Sequence, residues 1–117
     1  SISVEETYVN DLKNLDACLA EVPALLVRLH ERIQKAEKAS EIHPEIHNVF
    51  VKLKFDDFQQ TTVERLAYQV EIDLVHSLFK EGWARKSRPV RLLGVGVRFT
   101  EEDSQHAYVQ LLLPDIK

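Results

Sequence analysis

The chain has 117 residues and a formal net charge of −4, with 44% hydrophobic and 29% charged residues, a size and composition typical of one soluble domain. No apolar run approaches the ~18 residues that a membrane helix requires, and the single cysteine, Cys18, excludes an internal disulfide. We therefore expect a monomeric, cytoplasmic protein with no membrane partner. Because the sequence begins at Ser1 and not at methionine, we also expect a piece of a longer chain.

The first part of the chain predicts a short strand followed by a long helix. Alternation of apolar and polar residues predicts the strand over residues 1–7. Apolar residues then recur every three or four positions, which predicts a helix over about residues 11–39, beginning near Asn10. Pro23 lies inside this helix and predicts a kink or break near Val22, because proline removes a backbone hydrogen bond.

The second part of the chain predicts a hairpin, a helix and a last strand. Strict alternation predicts a half-buried strand over residues 49–58. The adjacent aspartates at 56–57 suit a turn, and residues 59–68 are rich in strand-forming side chains. A helix is predicted over residues 70–84 and a final strand over residues 90–99.

The predicted order is β-α-β-β-α-β. The helices carry apolar stripes and the strands have one apolar face, so both helices should cover that face. We therefore predict an α+β fold, in which a four-stranded antiparallel sheet has two helices on one face. The opposite face is left for solvent or for a partner.

The uncovered face is predicted to carry basic and small residues. Lys52 and Lys54 alternate with apolar positions on one strand, and Arg98 has the corresponding phase on the last strand. Three polar residues begin the neighbouring strand and two glycines interrupt the last one: Gln60, Thr61, Thr62, Gly94 and Gly96. Lysine, arginine and hydroxyl groups are typical of surfaces that bind nucleic-acid phosphates without reading sequence. Glycines allow a ligand to approach the strand closely, although they could equally mark a bulge or twist.

Charge and aromatic content bear on the same surface. The stretch 82–100 contains five basic residues and no acidic one, although a solvated basic loop would explain this equally well. Few aromatic side chains share the predicted face apart from Phe50, which favours contact with a duplex backbone over base stacking.

Three segments carry a specific resemblance. They read SISVEET at residues 1–7, VKLKFDDFQQTT at 51–62 and PVRLLGVGV at 89–97. In this order they closely resemble the little finger domain of bacterial Y-family DNA polymerases of the DNA polymerase IV type. The resemblance implies the strand order 1-4-2-3 and a non-catalytic domain of an error-prone translesion polymerase, which grips the backbones of the primer–template duplex.

The resemblance also implies which residues contact DNA: Lys52, Lys54, Gln60, Thr61, Thr62, Arg88, Arg91, Gly94, Gly96 and Arg98. Arg91 has the helix-side phase, so its contact would need strand twist or an effect of the strand end. The carboxylates that hold two magnesium ions in this family lie in a palm domain that the sequence does not contain. We therefore expect no enzymatic activity and no cofactor in this chain itself.

The C-terminal segment contains a second motif. A glutamine followed by leucines resembles the bacterial sliding-clamp-binding peptide, with the residues Gln110, Leu111, Leu112 and Leu113. We therefore expect a little finger domain over residues 1–107 and a clamp-binding tail over 108–117. From the pattern alone, a final strand or a packed apolar tail is an equally good interpretation.

Two other classes of function would suit parts of the same pattern. A ferredoxin-like regulatory or RNA-binding module would also place two helices on one face of four strands. RNA recognition would require several exposed aromatic residues on the central strands, and the predicted face offers few apart from Phe50. A small enzyme would require a convergent catalytic set, and the sequence offers none.

Overall fold

A computed structural model describes residues 1–40 and 45–99. Within these residues the chain forms four strands and three helices. In chain order they are β1 (Ile2–Leu12), α1 (Leu15–Ala20), α2 (Val22–Ser40), β2 (Ile46–Phe55), β3 (Gln60–Leu66), α3 (Ile72–Ala84) and β4 (Val90–Phe99).

The four strands form one antiparallel sheet in the order β1-β4-β2-β3. Val51 of β2 lies opposite Val63 of β3 and Val95 of β4, while Val4 of β1 lies opposite Val95. This register puts the buried valines of all four strands in one row on one face. The α+β fold and the implied strand order are both confirmed.

The core lies between this apolar face and the helices. Val49, Val51, Leu53 and Phe55 alternate along β2 and are completely buried, as the alternating pattern predicted. The helices contribute the remaining large buried side chains, among them Leu25, Leu29, Val75, Leu78 and Phe79. Because all three helices of residues 1–40 and 45–99 pack on this side, no helix of these described residues covers the other face of the sheet.

The predicted helix start near Asn10 is wrong. β1 continues to Leu12, which pairs with Val90 after a register shift that begins at Thr7. The helix begins only at Leu15, because the Asn14 side-chain oxygen accepts a hydrogen bond from the Ala17 backbone N–H at 2.9 Å. The first strand is therefore longer than predicted, since pairing with β4 outweighs the weak local helix signal.

The cap at Asn14 makes a test possible. Asn14→Ala should lower the free energy of unfolding by about 1 kcal/mol, because the Ala17 N–H loses its acceptor. Asn10→Ala is the matched control, since Asn10 lies in β1, and should change stability by less than ~0.5 kcal/mol. Urea denaturation measures both. Equal effects would contradict the assignment of the cap.

The predicted break near Val22 is confirmed. The helix is interrupted at Glu21, whose backbone N–H bonds to the Cys18 carbonyl at 3.0 Å, and α2 then starts at Val22. Pro23 thus stands in the first turn of α2, where its missing N–H breaks no helical hydrogen bond. The division produces three helical segments in place of two continuous helices.

The hairpin between β2 and β3 is shifted relative to its prediction. β2 ends at Phe55 and not at residue 58, and Phe58 takes a left-handed conformation with φ of 66°. The Phe55 N–H bonds to the Gln59 carbonyl at 2.8 Å and closes the turn. β3 is three residues shorter than predicted and α3 is two residues shorter, while β4 has its predicted bounds.

Candidate nucleic-acid interface

The sheet face away from the helices is called the open face here. Its members are the strand residues that alternate with those of the apolar core face and lie opposite one another across the sheet. They are Ser3, Glu5 and Thr7 of β1, Leu92, Gly94, Gly96 and Arg98 of β4, Asn48, Phe50, Lys52 and Lys54 of β2, and Gln60, Thr62, Glu64 and Leu66 of β3.

The three predicted cations meet on the open face. Lys52 and Lys54 lie on β2, and Arg98 lies on β4 opposite Asn48. The face also has two carboxylates, from Glu5 and Glu64, so its formal charge is +1. Positive charge is therefore present, but carboxylates from the two outer strands reduce it.

Lys52 is paired across β4 with a carboxylate of β1. Glu5, Gly94 and Lys52 are consecutive partners in one row across three strands. The Lys52 ammonium lies 2.6 Å from the Glu5 carboxylate. Gly94 has no side chain between them, and a Cβ placed there would come within 3.1 Å of Glu5 Cγ. This glycine allows the ion pair to form across the strand.

Arg98 is held by two neighbours. Its Nε donates to both carboxylate oxygens of Glu64, at 3.1 and 3.2 Å. Its guanidinium also lies over the Phe50 ring, 4.8 Å from the ring centre, a favourable cation–π distance. The Phe50 ring in turn packs against Gly96, which is buried.

These contacts fill the space over both glycines. Gly94 lies beneath the Lys52–Glu5 pair and Gly96 beneath Phe50. The sequence predicts that a ligand backbone approaches a bare strand at these glycines. In the free domain, the chain's own side chains occupy that space. DNA would therefore contact either glycine only by way of these side chains or by passing beside them.

Lys54 is different from the other two cations. Among the described residues it forms no hydrogen bond or ion pair. Its side chain is half-buried, and its β3 partner on the open face is Gln60. Among the described residues, it is therefore the open-face cation with no anionic partner that a ligand would have to displace.

Thr61 does not share the open face. It lies opposite Leu53, which is completely buried, and so has the helix-side phase. Its hydroxyl accepts a hydrogen bond from an Arg85 guanidinium nitrogen, which also donates to the Thr62 carbonyl at 3.0 Å. Gln60 and Thr62 do lie on the open face, on the exposed edge strand. The prediction grouped three consecutive residues that strand alternation separates.

Arg88 lies at the end of the sheet, beyond the open face. Its Nε lies 2.7 Å from Asp56 and 3.7 Å from Asp57. Lys86 lies 2.9 Å from Asp57, and this hydrogen bond is the main reason that the pKa of the Asp57 carboxyl is lowered. The ion pairs join the hairpin turn to the loop before β4.

Arg91 lies at the same end. A register shift in β4 follows Val90, and the Arg91 guanidinium stacks on the Phe58 ring, 4.4 Å from its centre. Phe58 is 63% exposed. The ladder is therefore irregular where Arg91 lies, and the DNA contact of Arg91 stays a prediction.

Acidic residues outside the stretch 82–100 form ion pairs with basic residues inside it. Lys86 and Arg88 pair with the aspartates of the hairpin turn, and Arg85 lies 3.4 Å from Glu81.

In the described part of the chain, no group of three acidic, histidine or cysteine residues could hold a metal ion. No helix in residues 1–40 or 45–99 is long and apolar enough to span a membrane.

Comparison with known families decides the assignment. The model of the impB/mucB/samB family C-terminal domain matches residues 1–112. The chain belongs to this family, the little finger domains of Y-family DNA polymerases. The resemblance found in the sequence is thereby confirmed.

Curated relatives of this little finger domain are DNA polymerases IV. It is 52% identical over 116 residues to DNA polymerase IV of Legionella pneumophila strain Lens, covering 99% of this chain and 31% of the relative. It is 45% identical over 115 residues to that of Ralstonia nicotianae, covering 98% and 31%. The chain thus spans about a third of the length of these relatives.

Solved structures give the same fold. A complex of a beta-clamp processivity factor and the little finger domain of PolIV matches with a TM-score of 0.71 and 30% identity, covering 86% of this chain and 88% of that one. The insertion ternary complex of Dbh DNA polymerase matches with a TM-score of 0.58 over 84% of this chain and 28% of that one. Its identity of 17% supports the fold alone.

Proposed function

We propose that this little finger domain grips the backbone of primer–template duplex DNA for an error-prone translesion polymerase. The observation that carries the proposal is the sheet face opposite the helix layer, on which Lys52, Lys54 and Arg98 lie together. Cations on a sheet surface can neutralise phosphates along a duplex without reading its sequence. The domain itself has no catalytic role in this proposal.

The polar neighbours support a duplex backbone as the ligand. Gln60 and Thr62 line the edge of the open face and can donate to phosphate oxygens. Phe50 is the aromatic residue of this face, and its ring packs on Gly96 beneath Arg98. A ring held in this way is poorly placed to stack on bases, which favours duplex over single-stranded nucleic acid.

The other residues predicted to contact DNA have secondary roles in the proposal. Arg88 and Arg91 would contact the backbone at the end of the sheet, and Arg88 would do so only by leaving its aspartate partners. Gly94 and Gly96 would act by letting side chains cross the strand. Thr61 would act through Arg85, to which its hydroxyl is bound.

The parent protein is proposed to be a DNA-directed DNA polymerase that acts in the cytoplasm. DNA polymerases use metal ions, and magnesium is the ion we propose for this one. Catalytic carboxylates would be supplied by another domain, so no residue of this chain is assigned to metal binding. In this proposal the little finger domain contributes affinity for the DNA that is the substrate and the product of the polymerase.

The C-terminal segment is proposed to dock on the bacterial sliding clamp. Gln110 to Leu113 lie outside the described residues, so this proposal depends on the motif and on the neighbour solved with a beta-clamp processivity factor. Leu111 and Leu113 would fill apolar pockets while Gln110 forms a hydrogen bond at the rim. Ordering a short peptide costs free energy, so simultaneous DNA binding should strengthen docking through avidity. Residues 1–107 would then be the DNA-binding unit and residues 108–117 the docking peptide.

Lys52→Ala combined with Lys54→Ala should weaken duplex binding by about 1 kcal/mol or more, which is roughly fivefold. The slope of log K against log salt should become shallower by roughly 1 for each lysine that no longer neutralises a phosphate. Fluorescence anisotropy with a labelled duplex at several salt concentrations measures both quantities.

The matched control is Lys35→Ala with Lys38→Ala, which removes the same charge from α2 in the helix layer. This control should retain nearly the full slope. If both double variants behave alike, or if binding of the unmodified domain does not depend on salt, the open face is not the DNA-binding surface.

A further inference from the structure

Two of the three open-face cations already have anionic partners. The Lys52 ammonium lies 2.6 Å from the Glu5 carboxylate, and Arg98 donates to both oxygens of Glu64. The two carboxylates come from β1 and β3, the outer strands on opposite edges of the sheet. The cations of the inner strands are therefore bracketed by acids from both sides.

The paired geometry is that of a charge-assisted hydrogen bond to an oxyanion. A phosphate oxygen would approach a lysine or arginine nitrogen at about 2.7–2.9 Å, the distance range at which a carboxylate oxygen binds. Glu5 reaches Lys52 across Gly94, and Glu64 holds Arg98 above Phe50. The carboxylates thus occupy the Lys52 ammonium and the Arg98 Nε, two positions at which a phosphate oxygen could bind these cations.

The pairs are too exposed to be required for folding. The side chains of Lys52 and Glu5 are 29% and 42% exposed, and those of Arg98 and Glu64 are 49% and 34% exposed. An exposed ion pair of this kind changes an equilibrium constant by up to about fivefold. The strands beneath them are joined by their own backbone ladders. Their removal should leave the fold intact.

We infer that Glu5 and Glu64 stand in for DNA phosphates in the free domain and compete with them for Lys52 and Arg98. This inference rests on the proposed DNA-binding function and adds a regulatory element to it. A phosphate competes with the carboxylate for each cation, and a displaced carboxylate remains beside the phosphate and repels it. The two glutamates therefore weaken the grip of the domain on DNA.

Glu5→Gln and Glu64→Gln test this competition, because glutamine keeps the shape and loses the charge. Each variant should bind a labelled duplex about threefold to fivefold more tightly than the unmodified domain, and the double variant about tenfold. The salt dependence should become steeper, since each freed cation neutralises a phosphate fully. Anisotropy titrations at three salt concentrations supply these values, and thermal unfolding checks that the fold is retained.

Glu31→Gln is the matched control, because Glu31 is exposed on α2 and the substitution makes the same change in net charge. Tighter binding by the open-face variants alone supports the competition. Equal effects in all variants would mean that the change in net charge alone strengthens binding. Weaker binding by the open-face variants would mean that the glutamates position the cations for DNA. Either result overturns the inference. Lys54→Ala distinguishes failure of this inference from failure of the proposed DNA-binding function, since Lys54 has no carboxylate partner among the described residues. If Lys54→Ala leaves duplex affinity unchanged, the proposed function itself fails.

Discussion

Gly96→Ala should destabilise the domain by about 2–3 kcal/mol, within the range known for overpacked cores. A Cβ at this position would overlap the Phe50 ring at its Cζ atom and would lie 2.6 Å from Ser3 Cβ and 2.8 Å from the Ile2 carbonyl oxygen. The ring could move, but the atoms of β1 could not move without separating β1 from β4. For a domain of this size the destabilisation corresponds to roughly 10–20 °C in Tm. Thermal and urea unfolding measure it.

Gly94→Ala is the matched control in the same strand. A Cβ there would meet Glu5 Cγ at 3.1 Å, the Val4 carbonyl oxygen at 3.4 Å and Lys52 Cβ at 3.5 Å. The tightest of these contacts is with a flexible exposed side chain, so the cost should be below ~1 kcal/mol. Equal destabilisation by the two substitutions would show that strand propensity, and not the packing over Gly96, determines the effect.

Leu111→Ala combined with Leu113→Ala should abolish binding to a purified bacterial sliding clamp. The two side chains are the apolar anchors of the proposed docking peptide, and burial of a leucine side chain is worth ≈ 1.5–3 kcal/mol. Removal of both would lower a modest affinity by at least about a hundredfold, below the range that surface plasmon resonance detects. Duplex DNA affinity should not change, because the open face is untouched.

Val109→Ala serves as the matched control for the tail. It also replaces an apolar side chain by alanine, but it lies before the glutamine of the motif. Clamp binding should therefore be retained. A double leucine variant that still binds the clamp as well as the unmodified chain would rule out the tail as the docking peptide.

The fold was predictable because its strongest signals are local. Alternation in β2 determines which of its residues are buried, and the apolar stripe of α3 is short and continuous. The start of the first helix was not predictable in this way, since Asn10 and Asn14 are both good capping residues. Pairing of Leu12 with Val90, which joins distant parts of the chain, decides between them.

The sequence was enough to predict the cations of the candidate site, but not the residues that pair with them. Phase along a strand puts Lys52, Lys54 and Arg98 on one face without knowledge of the neighbouring strands. The partners depend on strand order, because Glu5 meets Lys52 only when β4 lies between β1 and β2. Alternation along the first strand is enough to put Glu5 on its polar side, but the sequence offers no register that connects Glu5 with Lys52.

Amide chemical-shift mapping of the isotope-labelled domain with a short DNA duplex tests the central claim most directly. The open face predicts that the largest shift changes fall on β2 and β4, at Lys52, Lys54, Arg98 and their strand neighbours, and that they shrink as salt is added. Changes concentrated in α2 and α3, with the sheet unaffected, would contradict the claim that DNA lies against the uncovered face.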